Sequence, residues 1–265
     1  MDETLMNKKA EKVDACKRPL ERFVIPPPYY QDDYVTIYNA DCLDIMPSLA
    51  PVDCVITDPP YSSGTRQATN RTASNIPKRG EKWRRSGIIW DTSFSSFGLS
   101  VFMNTFLRTV KDCMKEGAHI YSFIDWRQYP LLTLSFEAAG LFINNMIVWD
   151  KEMYALGGNY RSQHEIIVFA SRGSAKRLTR HDVGNVLKCK RIAGGEHPTE
   201  KPAALMGQII ECATEKDDVI LDPFAGSGAT LLAAKRLGRK AIGIEIDKNY
   251  CELASNNLRQ DILPL

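Results

Sequence analysis

The feature that most constrains the fold is a strand–turn–helix–strand pattern near the carboxyl end of the sequence. The run "DVILD" (218–222) is an apolar strand, and "SGATLLAAKRLG" (227–238) is a helix that ends at a glycine. A second apolar strand, "AIGIEID" (241–247), follows closely. Two strands joined by a helix are typical of parallel pairing, so this segment predicts an α/β fold.

The rest of the chain continues this alternation. Two apolar strands, 141–150 and 164–171, are separated only by a short segment, which predicts an antiparallel hairpin at a sheet edge. We therefore predict one α/β domain, a mostly parallel doubly wound sheet with that hairpin at one edge. The other strands are predicted at 34–41, 53–58 and 119–125, and the other helices at 99–114, 126–139, 202–213 and 248–260.

Polarity sets the predicted boundaries. Residues 1–32 are polar and proline-rich at their end, so we expect an N-terminal arm followed by a single domain over 33–265, with loops at 62–98 and 171–196. The charged N-terminus is not a signal peptide, and no apolar run approaches the ~18 residues of a membrane span. Seven scattered cysteines without a CxxC pair favour a reducing compartment. We expect a cytoplasmic protein with no membrane partner and no metal.

The net charge is only +2, but its distribution is uneven. Two segments each carry six net positive charges, which leaves the remainder at −10. Concentrated basic segments on an acidic body suggest a polyanionic partner such as nucleic acid, although solvated loops would have the same composition. The basic residues are Arg66, Arg71, Lys78, Arg79, Lys82, Arg84 and Arg85 in the first segment, and Arg172, Lys176, Arg177, Arg180, Lys188, Lys190 and Arg191 in the second.

The glycine turn "FAGSG" (224–228) and the acids around it indicate a nucleoside ligand. Glycines let the backbone approach a ligand, and Glu245, at the end of the next strand, is placed to accept hydrogen bonds from ribose hydroxyls. Asp222 beside the turn would repel a pyrophosphate and favours a cationic ligand, which argues against a nicotinamide dinucleotide. S-adenosylmethionine carries both an ammonium and a sulfonium group. The alternative is that the glycines only permit strand–helix packing.

A second motif, "DPPY" (58–61), stands directly after the apolar strand "DCVIT". Neither proline has a backbone N–H, so the chain must leave the sheet in a rigid turn that presents Asp58 and then Tyr61. This is either a stiff strand end or a catalytic motif.

These two motifs together resemble those of the amino-group DNA methyltransferases. "DPPY" is similar to their catalytic motif, "DPFAGSG" to their cofactor motif, and "HPTEKP" (197–202) to the segment just before it. The catalytic motif comes first, as in the β group of these enzymes, and the resemblance extends from about residue 33 to 259. It implies a Rossmann-like S-adenosylmethionine-dependent methyltransferase fold.

The resemblance implies transfer of a methyl group to the exocyclic N6 of a flipped adenine in double-stranded DNA, with S-adenosylhomocysteine as product. Asp58 and the Pro59 carbonyl would accept hydrogen bonds from the amine, Pro60 would stiffen the turn, and Tyr61 would stack on the base. Cytosine N4 is the main alternative acceptor, because the rule that aspartate indicates adenine has exceptions. A non-catalytic DNA-binding regulator on the same fold is a second alternative.

By the same resemblance, one set of residues surrounds the cofactor. Asp41 and the backbone at Cys42 would contact its adenine, Glu245 its ribose, and a lysine near the methionine end would pair with the carboxylate. The complete set is Asp41, Cys42, Thr199, Lys201, Asp222, Phe224, Ala225, Gly226, Ser227, Gly228, Glu245 and Ile246.

The resemblance also assigns roles to the basic segments. The second, at 171–196, takes the place of a short target-recognition region, and the first would cover the flipped base; both would contact DNA phosphates. The compact chain suits a stand-alone enzyme of a bacterium or a phage-infected cell, and a homodimer is left open.

Overall fold

The computed structural model describes residues 25–60, 96–154, 160–180, 182–192 and 201–260. Within these ranges nine strands form one sheet, in the order β1-β2-β9-β8-β3-β4-β6-β5-β7. The strands are β1 (Tyr30–Gln31), β2 (Val35–Asn39), β3 (Val52–Thr57), β4 (Met114–Ile124), β5 (Phe142–Asp150), β6 (His164–Ser171), β7 (Val186–Lys188), β8 (Val219–Asp222) and β9 (Lys240–Glu245).

The pairing confirms the predicted fold class. Strands β2, β9, β8, β3 and β4 pair in parallel, while β6 is antiparallel to both β4 and β5. The predicted hairpin therefore forms one side of the sheet. The three-residue strand β7, which the sequence did not suggest, pairs in parallel with β5 outside it.

Helices cover both faces of the sheet, and this explains why the central strands are apolar throughout. All six residues of β3 are buried, as expected for a parallel strand covered on both sides. One apolar cluster contains residues of α1, α2 and α3, and the other contains residues of α4, α5 and α6. The helices are α1 (Cys42–Ile45), α2 (Ser96–Cys113), α3 (Tyr129–Ala139), α4 (Ala203–Ala213), α5 (Ala229–Arg236) and α6 (Lys248–Gln260).

Two predicted element boundaries differ from those in the structure because a side chain caps the backbone there. Asp41 is not the last strand residue but the N-cap of α1, because its Oδ1 accepts from the Leu43 N–H at 2.9 Å. Likewise, Asp125 accepts from the Arg127 N–H at 2.8 Å in a turn, so α3 begins at Tyr129 and not at 126. Short polar side chains compete with the helix for the first N–H groups, which periodicity alone does not register.

The predicted domain limits also need correction. The arm boundary at residue 32 is too late, because β1 pairs with β2 and the Asp32 carboxylate lies 2.7 Å from Lys235 Nζ on α5. Residues 1–24 lie outside the described part. Residues 96–98, which were predicted to end the first basic loop, belong to α2. Residues 62–95 lie outside the described part of the chain. No helix in the described ranges is long and apolar enough to cross a bilayer.

The turn between β8 and α5 depends on one close approach. Gly228 has φ +86°, and a Cβ there would lie 2.9 Å from the Ala254 Cβ on α6. Gly238, with φ +69°, has no atom within 4 Å of its Cβ position. Both positions disfavour an L side chain, but only Gly228 also needs the space.

We expect Gly238→Ala to lower the free energy of unfolding by about 1–2 kcal/mol, the cost of left-handed backbone for alanine. Gly228→Ala should cost clearly more, because the contact with Ala254 is added to the same strain. Urea denaturation of both variants measures the difference. Adding Ala254→Gly to Gly228→Ala should recover part of that excess; equal losses for the two single variants would contradict the packing argument.

Candidate active site

Acidic residues collect at one edge of the sheet, here called the carboxyl edge because the parallel strands end there. Asp58 follows β3, Asp222 ends β8, Glu245 ends β9, and Asp41 lies just beyond β2. Adjacent parallel strands end side by side, so residues far apart in sequence meet there. The structure thus brings the acids of the two motifs, Asp58 and Asp222, together with Asp41 and Glu245.

Glu245 is held in one orientation by the glycine turn. Its Oε2 accepts from the Gly226 N–H at 2.9 Å, and its Oε1 accepts from the Asp247 N–H at 2.8 Å. Burial raises the pKa of Glu245, and these backbone donors oppose the rise. In the described part of the chain, no residue other than its chain neighbours lies within 4 Å of the Gly226 Cβ position, so these residues leave space for a ligand beside the turn.

Asp222 is almost fully buried at the centre of the edge. Its Oδ1 accepts from the Phe224 N–H at 3.1 Å. Burial raises its pKa to about 7; hydrogen bonds from Thr230 and Phe224 lower it, while the nearby charges of Asp58 and Glu245 raise it further. This concentration of carboxylates suits a cationic ligand, so the residues present fit a nucleoside that bears ammonium and sulfonium groups.

The side chains at the β2 end take mainly local roles. The Asp41 carboxylate caps α1. Its expected contact with the adenine of the cofactor stays a prediction. The Cys42 side chain is 5% exposed, and burial raises the pKa of its thiol. The thiol is therefore a buried apolar group, and only its backbone remains a candidate for cofactor contact. Ile246 is half exposed just after β9, while Ala225 and Ser227 are buried in the turn.

Lys201 lies closer to the catalytic motif than the sequence indicated. Its side chain is 6% exposed, and its Nζ lies 2.5 Å from Asp58 Oδ2 and 3.4 Å from Glu165 Oε2. Pairing with a methionine carboxylate stays a prediction. Glu165 was not among the predicted site residues, although an acid inside the otherwise apolar strand "HEIIVFAS" was an available signal.

The second basic segment does not form one surface. Arg172 follows β6 at the opposite edge and donates to the carbonyls of Lys111 and Met114, at 3.0 and 2.6 Å. Thr179, beside Arg180, donates to the carbonyls at the end of α4, also away from Asp58. The structure corrects the prediction that 171–196 as a whole faces the target: Arg172, Lys176, Arg177 and Arg180 lie at the far edge, whereas Lys188, Lys190 and Arg191 return to the carboxyl edge.

Two exposed aromatic residues at the carboxyl edge were also missed. Trp126 follows β4 and is 55% exposed, with the Arg127 guanidinium 4.6 Å from its ring centroid. Tyr154 follows β5 and is 61% exposed, with Arg161 in the same arrangement at 4.6 Å. For Trp126 a signal was available, because it directly precedes an arginine just after a strand; Tyr154 and Arg161 are seven residues apart, so their pairing left no local signal. Several predicted site residues lie outside the described part, namely Tyr61, Thr199, Arg66, Arg71, Lys78, Arg79, Lys82, Arg84 and Arg85.

The raised pKa of Asp222 makes stability depend on pH. The folded pKa of about 7 exceeds the ordinary 3.8, so the folded state holds an extra proton between these values. The free energy of unfolding should therefore fall as pH rises from about 4 to about 7. Asp222→Asn should lack this contribution and be more stable than wild type at pH 8.

Urea denaturation of both proteins at pH 5, 6, 7 and 8 measures this effect. Other titrating groups are common to both proteins, so the difference between the two curves isolates Asp222. A difference that does not change with pH would contradict the assignment.

Comparison with known proteins agrees with this geometry. The family model described as DNA methylase, covering N6 and N4 amino methylation, matches residues 52–256. Type II methyltransferase M2.LlaDCHI of Lactococcus lactis subsp. cremoris is 29% identical over 259 residues, covering 88% of this chain and 92% of the relative. Type II methyltransferase M2.DpnII of Streptococcus pneumoniae is 28% identical over 258 residues, covering 88% and 93%.

Solved structures share the fold. M1.HpyAVI in complex with SAM has a TM-score of 0.63 at 25% identity, covering 84% of this chain and 100% of that one. The cytosine-N4-specific PvuII DNA methyltransferase has a TM-score of 0.70 at 16% identity, covering 89% and 90%, a likeness of fold alone. Since the family model spans most of the chain and its motifs meet at one edge, the chain belongs to the DNA methylase family and is an S-adenosylmethionine-dependent DNA methyltransferase.

Proposed function

We propose that the protein methylates the exocyclic N6 of adenine at specific sites in double-stranded DNA. The observation that carries this proposal is the position of Asp58. It stands with Pro59 at the end of a buried central strand, beside an edge whose acids suit a cationic methyl donor. Tyr61 and Thr199 belong to the proposed site by sequence.

The chemistry requires acceptors around one amine. The amine of adenine is a poor nucleophile because its lone pair is delocalised into the ring. Asp58 and the Pro59 carbonyl would accept hydrogen bonds from its two N–H groups, which localises the lone pair toward the methyl group. Bound S-adenosylmethionine would supply a methyl group on a sulfonium; the N–C bond would form as the C–S bond breaks, and the amine proton would leave through Asp58 or to solvent. Positioning and electrostatics then provide the rate.

The base must leave the duplex to reach Asp58, at a cost of a few kcal/mol. The carboxyl edge has groups suited to this step. Lys188 ends β7 beside Asp150, and Lys190 and Arg191 follow it, all exposed. Trp126 and Tyr154 offer aromatic faces for stacking, which is sequence-tolerant. These residues supply charge and stacking on the same edge as Asp58.

The preference for adenine rests on the aspartate of the motif, since cytosine-N4 enzymes more often carry serine there. Cytosine N4 stays the second candidate because the matching family model covers both acceptors. We place the protein among type II methyltransferases, the name given to the two relatives. A homodimer and a cytoplasmic location also belong to the proposal; sedimentation and cell fractionation test them.

The central test is mass spectrometry of nucleosides after incubation with double-stranded DNA and methyl-labelled S-adenosylmethionine. We expect labelled N6-methyladenine with wild type. Asp58→Ala should lower kcat by roughly 10²–10³-fold, because it removes an acceptor needed in the transition state.

Asp125→Asn is the matched control, since Asp125 follows the adjacent strand at the same edge but its carboxylate contacts the backbone and guanidinium of Arg127 in its own turn. It should keep most of the activity. Labelled N4-methylcytosine would replace adenine with cytosine as the acceptor, and no labelled nucleoside with any DNA would overturn the proposal.

A charge comparison tests where DNA binds. The triple variant Lys188→Gln, Lys190→Gln, Arg191→Gln should weaken DNA binding and reduce the slope of log K against log salt by up to about 3. The far-edge variant Lys176→Gln, Arg177→Gln, Arg180→Gln removes the same charge and should leave the slope nearly unchanged. Fluorescence anisotropy at several salt concentrations gives both slopes. An equal effect of the two variants would argue against DNA at the carboxyl edge.

A further inference from the structure

Four charged side chains form a line of alternating charge that leads into the site. Lys151 Nζ lies 2.6 Å from Glu165 Oε1, Glu165 Oε2 lies 3.4 Å from Lys201 Nζ, and Lys201 Nζ lies 2.5 Å from Asp58 Oδ2. They come from four separate segments: the ends of β5 and β3, the start of β6, and the residue two before α4. We call these four residues the charge line.

The positions of both ammonium groups are defined by more than the carboxylates. Lys201 Nζ lies 5.3 Å from the centroid of the buried Phe123 ring, and Lys151 Nζ lies 5.1 Å from that of the buried Trp149 ring. A cation over an aromatic face gains electrostatic attraction, more so when desolvated. Each lysine of the charge line therefore packs against one aromatic ring as well as against its carboxylates.

The two central members, Lys201 and Glu165, hold each other in the charged form. Burial alone would lower the pKa of Lys201, but the charges of Asp58 and Glu165 outweigh it and raise the pKa. Burial alone would raise the pKa of Glu165, but Lys201 and Lys151 outweigh it and lower the pKa. Burying an ammonium to this degree is strongly unfavourable unless it is paired, so Lys201 depends on its carboxylates.

We infer that Glu165 is a positioning residue that acts on Asp58 through Lys201. The inference rests on the proposed role of Asp58 as acceptor for the target amine. Held between two carboxylates, Lys201 fixes the carboxylate of Asp58 while sharing its charge with Glu165. Without Glu165, Lys201 would no longer share its charge between two carboxylates, so its pairing with Asp58 would strengthen, which would weaken that carboxylate as an acceptor.

Kinetics test the inference in the full-length protein. Glu165→Gln, which keeps the shape but removes the charge, should lower kcat by about ten-fold or more, as expected when a reacting group is misplaced. KM for DNA should change little, because Glu165 is not on the proposed DNA surface. Glu165→Asp, which keeps the charge with a shorter reach, should recover part of kcat.

Asp32→Asn is the matched control. The Asp32 and Lys235 side chains are 24% and 23% exposed and lie 2.7 Å apart. The Glu165–Lys151 pair is similar, at 21% and 20% exposed and 2.6 Å apart. The control pair, however, joins the β1–β2 turn to α5, away from Asp58. Both variants should lower the melting temperature, and only Glu165→Gln should lower kcat. If Glu165→Gln keeps kcat within two-fold of wild type, the residue is structural and the inference is wrong.

A second measurement does not depend on activity. In protein labelled with ¹⁵N-lysine, the buried Lys201 ammonium should give a slowly exchanging resonance, assigned by its loss in Lys201→Arg. Glu165→Gln should shift or broaden this resonance, and Asp32→Asn should not. If that resonance is unaffected by Glu165→Gln, the coupling fails. If it responds while wild type methylates no DNA, the proposed function fails and the coupling stands.

Discussion

The parallel alignment of β2, β9, β8 and β3 is the constraint on which the rest of the molecule depends. Because these strands end at one edge, Asp58, Asp222 and Glu245 are forced into mutual repulsion with little water around them. Burial and like charge raise the pKa of Asp222, at the centre of the carboxyl edge, to about 7. A cationic cofactor bound at this edge would reduce the same repulsion.

Lys201 is the protein's own counter-charge at this edge. It neutralises Asp58 in the absence of any ligand, while Glu165 and Lys151 extend the neutralisation outward. Neither acid of the cofactor turn depends on it, because Glu245 is satisfied by backbone donors and Asp222 accepts from the Phe224 N–H. The proposed acceptor and the acids proposed to face the cofactor are thus held by separate sets of contacts at one edge.

Much of the fold followed from local pattern. Apolar periodicity located each long helix and strand, and Pro202, Asp247 and Gly238 marked helix ends where the structure has them. Other features had weak local patterns. Strand β7 has three residues and forms only because β5 offers an edge, and the two-residue β1 depends on β2. The basic segment 171–196 looked uniform because composition carries no information on which edge a loop reaches.

The sequence by itself determined the fold class, the order of the motifs and the identity of the acids at the carboxyl edge. Periodicity, glycine turns and consecutive prolines act through neighbouring residues, so they can be recognised in the sequence alone. Only the tertiary structure decided that Lys201 and Glu165 meet Asp58, that Asp41 caps a helix, and that Arg172 serves carbonyls at the far edge. Such contacts join residues distant along the chain, and burial selects them from many alternatives that leave the same local pattern.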